Sequence, residues 1–138
     1  MAVKQDIPKV LIFDDFKDSV YRDFAQKGAE AAEWEPHVFK DSDLALDEFD
    51  ASFGALVTAL GTGRGMVNVL SGNFPARLLI TRSNELKIPI ALVSGHPWAY
   101  NLIREGSLDI VVPKASTEDI PGAVSGWLSR VALLGTLD

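Results

Sequence analysis

Five short apolar runs, separated by stretches of helical patterning, constrain the fold of this chain more than any other feature. Val10-Leu11-Ile12-Phe13 is apolar at every position and closes on Asp14-Asp15. A strand covered on both faces reads this way, as in a parallel sheet, whereas a half-exposed strand alternates. Similar runs follow at His37-Val38-Phe39, at 54–60, at 88–93 and at 108–112.

Helix signals fill the intervals. Asp18 or Ser19 caps a helix in which Val20, Phe24 and Ala31 recur at helical spacing, and Pro36 stops it. Asp41 and Ser42 cap a short helix carrying Leu44, Leu46 and Phe49. After the third run, Gly72 and Pro75 divide a short turn at 66–70 from a longer helix over about 75–85. A fourth helix spans 97–105 and is closed by Gly106. Ser116 or Thr117 opens the last helix, which runs to about Leu134 with Glu118 and Asp119 in its first turn. Strands alternating with helices predict an α/β fold: a doubly wound, five-stranded parallel sheet in three α/β/α layers. No linker or repeat divides the 138 residues, so 1–138 reads as a single domain with its core over about 9–130.

Charge and composition exclude several function classes. The 13 Lys and Arg are scattered singly against 19 Asp and Glu, with acids dense over 41–50 and a net charge of −6. Nucleic-acid binding draws most of its affinity from a concentrated basic patch, so no nucleic-acid partner is expected. No apolar run reaches the roughly 18 residues of a membrane span, so no membrane partner is expected. Residues 1–9 lack the apolar stretch of a secretory signal. The chain has no cysteine, which excludes disulfides and thiolate metal sites and agrees with a reducing compartment, so a cytoplasmic location is expected.

In a doubly wound sheet, ligands bind beyond the carboxyl ends of the strands. The residues there are Asp14 and Asp15, then 59–65, then Ser94 to Pro97, and Pro113-Lys114. Leu11-Ile12-Phe13-Asp14-Asp15, Leu56-Val57-Thr58-Ala59-Leu60-Gly61, Leu92-Val93-Ser94-Gly95 and Val112-Pro113-Lys114 stand in that order at four strand ends. In these motifs the chain resembles the receiver domains of bacterial two-component response regulators, the CheY-like domains, over about residues 9–130. The resemblance implies a flavodoxin-like fold, a phosphorelay setting and a sensor kinase or regulator as partner. It also implies that Asp14 and Asp15 are the acidic pair, Ser94 the hydroxyl residue and Lys114 the lysine of the phosphorylation pocket.

One departure governs the chemistry. Receivers carry the phosphate-accepting aspartate where this chain has Ala59. A carboxylate there attacks the phosphoryl group, and a magnesium ion held by carboxylate-type ligands neutralises the developing charge. Ala59 has neither a nucleophile nor a ligating oxygen. Thr58 is adjacent, but neighbouring side chains on a strand point to opposite faces, and no acid lies between Asp50 and Glu85. Val111, three positions before Lys114, stands where receivers often carry an aromatic reporter. The 59–94 segment is also longer than in typical receivers, by roughly five residues, with Gly72, Asn73 and Pro75 marking the expected insertion.

The remaining candidates divide between structure and chemistry. Adjacent carboxylates repel, and a lysine relieves them, so Lys114 is read as the salt-bridge partner of either Asp14 or Asp15, with Mg2+ bound by the two acids as the alternative. Gly61-Thr62-Gly63-Arg64-Gly65 follows a strand and precedes a helix, where amides can cradle an anion. It matches neither the dinucleotide fingerprint nor the P-loop pattern, and an unconstrained connection is the preferred reading. His96 sits in the mouth of the site without a nucleophile beside it, and His37 begins a strand at the surface. Trp98, Trp127 and the apolar tail Val131 to Leu134 exceed what one buried stripe requires, and Trp98, Trp127 and Val131 are the expected contact surface for a homodimer or partner. Gly122 and Gly126 would allow close helix approach. The sequence thus predicts a degenerate pseudo-receiver that is not an enzyme, needs no cofactor and works as a protein-interaction module. The alternative is a small-molecule or anion binder using the 61–65 loop.

Overall fold

Strand β1 (Lys9–Phe13) organises the sheet. It pairs in parallel with β2 (Glu35–Phe39) on one side and β3 (Phe53–Thr58) on the other. Strands β4 (Ile90–Val93) and β5 (Ile110–Val112) extend the sheet beyond β3. The order β2-β1-β3-β4-β5, parallel throughout, is the doubly wound flavodoxin-like sheet the sequence predicts. The structure is a computed structural model and describes residues 7–15, 19–60, 76–114 and 117–135. Its helices are α1 (Val20–Ala31), α2 (Ser42–Glu48), α3 (Arg77–Leu86) and α4 (Ile120–Gly135), with 3-10 turns at Pro97–Leu102 and Thr117–Asp119.

Strand alternation sorts the core into two layers. Val10, Ile12, Ala55, Val57, Ala91 and Val93 face α1 and α4. Leu11, Phe13, Leu56, Ile90 and Leu92 face α2, α3 and the Pro97–Leu102 turn. Each fully buried large side chain contributes about 1.5–3 kcal/mol, so a sheet covered on both faces is the main stabilising element.

The face that α1 buries differs from the predicted one. Arg22, Ala25, Gly28 and Ala29 are buried, whereas Val20 is 49% exposed and Ala31 is exposed. The reason is close packing against α4: a Cβ on Gly28 would lie 2.7 Å from the Pro121 carbonyl oxygen and 2.9 Å from the Val124 Cβ. Gly122 and Gly126, expected to permit such an approach, have nothing within 4 Å of a built Cβ. The small residue that lets the helices meet is on α1.

Pro36 does not stop α1. The helix ends at Ala31, and Glu33 turns the chain at φ 63°. Pro36 lies inside β2, an edge strand. Glu35 donates its N–H inward to the Pro8 carbonyl at 2.8 Å, so by alternation the next nitrogen, that of Pro36, points outward where no ladder bond is needed. The predicted fourth helix is a 3-10 turn ending at Leu102, and Gly106 takes φ 77° in the following loop, not at a helix cap. Strands β3, β4 and β5 are also shorter than the apolar runs that announced them, because the flanking apolar residues Leu60 and Ile88 are buried outside the ladder.

The amino end of β5 carries a clasp. Asp109, whose side chain is fully buried, accepts from the Ile90 N–H at 3.0 Å and from Arg104 N–H, Nε and Nη2 at 3.0, 2.9 and 2.9 Å. Arg104 Nη2 also donates to the Ile88 carbonyl at 2.9 Å. Burial pushes the Asp109 carboxyl up, but these hydrogen bonds and the Arg104 charge outweigh it and hold the group below the usual carboxylate range. The Asp109 carboxylate in turn raises Arg104. The clasp fastens the bottom of β4 to β5, at the opposite end of the strands from the site.

Candidate functional site at the carboxyl ends of the strands

The register of β1 and β3 builds the site. Phe13 pairs with Thr58, and the Ala59 N–H donates to the Phe13 carbonyl at 3.0 Å, so Ala59 stands beside Asp14 at the tip of the middle strand. Ala59 is buried, and its methyl group lines the crevice there with Asp14, Tyr21, Arg22, Thr58 and Val93. The Thr58 hydroxyl donates to the Ala59 carbonyl at 2.6 Å.

Asp14 is held from α1. The Ser19 hydroxyl donates to Asp14 Oδ2 at 2.6 Å and accepts the Tyr21 and Arg22 N–H groups at 3.2 and 3.3 Å. One hydroxyl therefore caps the helix and binds the acid. Arg22 turns inward from the same first turn: it is only 6% exposed, and Nη1 donates to the Asp14 carbonyl at 2.5 Å. Asp15 is half-buried next to it.

Lys114 does not make the expected salt bridge. Among the described residues the ion pairs are His37–Glu35 and Arg104–Asp109, and Lys114 belongs to neither. Its ammonium lies 4.3 Å from the centre of the Tyr21 ring. The aromatic face of Tyr21 offers a contact that needs no desolvation of a carboxylate. Ser94 is buried and its Oγ accepts the His96 N–H at 3.1 Å, while His96 Nδ1 accepts the Trp98 N–H at 3.0 Å. Both side chains thus shape the turn after β4. His37 is half-buried, edge-on to Phe53 with ring centres 5.2 Å apart.

Of the expected contact residues, Trp127 and Val131 belong to the core, whereas Leu133 and Leu134 are exposed. Trp127 is 2% exposed, with Nε1 donating to the Leu108 carbonyl at 2.7 Å, and Val131 is buried beside it. Trp98 is half-buried against the other layer. The helical spacing of Val124, Trp127, Leu128 and Val131 is a single wide buried stripe. The exposed apolar residues on these elements are Tyr100, Leu133 and Leu134. Gly61, Thr62, Gly63, Arg64 and Gly65 lie outside the described residues, as do the predicted turn at 66–70, Gly72, Asn73 and Pro75, and the proposed caps Asp18 and Ser116.

Sequence reasoning missed Arg22, Tyr21 and the Arg104–Asp109 clasp. Arg22 shares a helical face with Ala25, Gly28 and Ala29, but a charged residue at the end of such a stripe reads from sequence as solvent-facing.

Strand order and the acid pair at the β1 tip define a doubly wound α/β protein whose crevice lies between β1 and β3. No family model matches the chain, and no curated protein matches it. Solved structures do. The chain is similar to a response regulator receiver domain protein from Clostridium thermocellum, at 18% identity and TM-score 0.60 over 93% of this chain and 99% of that one. It is similar to the chemotaxis protein CheY4 of Vibrio cholerae, at 18% identity and TM-score 0.63 over 91% and 99%. A de novo designed Rossmann 2x3 fold protein also matches, at 13% identity and TM-score 0.60 over 90% and 91%. The fold is therefore that of the receiver domains, and at these identities the likeness speaks for the fold alone.

The receiver fold implies a magnesium ion, and the described residues do not fit one. Magnesium demands near-octahedral oxygen ligands and keeps several waters. The crevice encloses about 10 Å³, room for about one water. Asp14 Oδ2 is bound by Ser19, Ala59 supplies no oxygen from its side chain, and a guanidinium already enters the space. Among the described residues no group of three or more His, Cys, Asp or Glu is placed to hold a metal.

Proposed function

We propose that this chain is a pseudo-receiver: a phosphorylation-independent module that acts by binding a protein in two-component-type signalling. The observation that carries this reading is Ala59, buried at the tip of β3 beside Asp14, where phosphoryl chemistry needs a carboxylate. The Thr58 hydroxyl, next to Ala59, donates to the Ala59 carbonyl, which supports the reading that it does not stand in as the acceptor. Such a module is not an enzyme, needs no metal cofactor and works in the cytoplasm. Its partner is a sensor kinase, a regulator or a second copy of the chain.

The test is incubation with acetyl phosphate and Mg2+ followed by intact-mass measurement. The mass is expected to stay unchanged. A gain of one acid-labile phosphoryl group overturns the reading.

A further inference from the structure

We propose that the Arg22 guanidinium is the resident cation of this crevice and keeps divalent metal out of it. The inference rests on the pseudo-receiver reading and concerns how the same pocket is held shut.

Three observations carry it. Arg22 is one of the few buried charged side chains, at 6% exposure, and α1 aims it at the strand tips and not at solvent. Its Nη1 donates to the Asp14 carbonyl at 2.5 Å, and Arg22 lines the same crevice as Ala59. The cavity left around it has room for about one water, too little for an ion that retains part of its hydration shell. A buried charge needs compensation, and Asp14 in the crevice lining provides the opposite sign. The first turn of α1 is thus secured twice, by Ser19 on the Asp14 carboxylate and by Arg22 on the Asp14 carbonyl. Unlike a bound ion, this cation cannot be removed by a chelator or by scarcity of metal.

The test titrates Mn2+ into the full chain, followed by water-proton relaxation. The proteins are the wild type, Ala59→Asp, and Ala59→Asp combined with Arg22→Gln or Arg22→Met. Wild type and Ala59→Asp are expected to show no saturable uptake, because the guanidinium remains. A double variant that retains a cooperative melt is expected to bind at least about tenfold more tightly than Ala59→Asp. Ala59→Asp alone decides the matter if both double variants fail to fold: saturable Mn2+ uptake there overturns the proposal, and its absence supports it. Uptake by the wild type, or no gain in a folded double variant, also overturns it. Phosphoryl uptake by the wild type would instead remove the pseudo-receiver reading, so the two failures are distinguishable.

Discussion

Lys114, just past the end of β5, holds its ammonium 4.3 Å from the centre of the Tyr21 ring on the first turn of α1. The pair ties the end of β5 to the first turn of α1, and among the described residues Lys114 forms no ion pair with Asp14 or Asp15. Contacts of this kind contribute about 0.5–2 kcal/mol, rising as water is excluded. A double-mutant cycle of Lys114→Met and Tyr21→Leu, read by urea unfolding, is expected to give a coupling of about 1 kcal/mol. Simple additivity would show that the contact contributes nothing.

Ser19 has two roles, and its removal should exceed an ordinary cap deletion. Ser19→Ala frees the Tyr21 and Arg22 N–H groups and leaves Asp14 Oδ2 without its 2.6 Å donor. The expected loss is about 2 kcal/mol, the upper end for a helix cap. Ser19→Thr should recover most of it. A loss equal to that of Asp41→Ala, which caps α2 at the surface and binds no second acid, would show that the bond to Asp14 adds nothing.

Glycine-to-alanine substitutions should change sign between two packed helices. At Gly28 the new methyl meets Pro121 and Val124, so Gly28→Ala is expected to lower stability by about 1–3 kcal/mol, the range of overpacking. At Gly122 and Gly126 the methyl enters open space, and each alanine is expected to raise stability by about 0.5–1 kcal/mol through helix propensity. Thermal melts of the three variants check this. A stabilising Gly28→Ala would refute the close contact of α1 and α4.

The clasp at the amino end of β5 should dominate part of the acid response. Asp109 is held below its ordinary range in the folded protein, so it adds stability above the unfolded value of about 3.9 and loses that contribution as pH falls through the lower folded value. Asp109→Asn is expected to be about 2–3 kcal/mol less stable at neutral pH, since hydrogen bonds to a charged group are lost. The gap should narrow below about pH 4 as the wild-type carboxylate is protonated. Urea midpoints from pH 2 to 7 measure it. A gap independent of pH would mean that the charge of Asp109 is irrelevant.

The sheet was legible because its strands are apolar at every position, so Val10 to Phe13 and Ile90 to Val93 needed no partner information. Ala59 was legible for a similar reason: its place is set by counting along β3. The inner face of α1 was not, because Arg22 breaks the pattern a buried stripe normally shows. A charged residue among alanines and a glycine reads as solvent-facing until the Pro121 carbonyl is known to press on Gly28. Trp127 misled in the opposite sense. Its bulk suggested a docking anchor, yet the indole reaches across to the Leu108 carbonyl, a contact between residues 19 apart that local spacing cannot reveal. Lys114 failed for want of geometry, since nothing in the sequence places Tyr21 nearer to it than Asp15.

The outward nitrogen of Pro36 sets a limit on growth. An added strand alongside β2 would find at that position a ring carbon where it needs a donor. The opposite margin offers only the three residues of β5 before Pro113 interrupts it. A visiting chain therefore gains little by lengthening the sheet from either side, and the backbone of these two edges offers little to pair with.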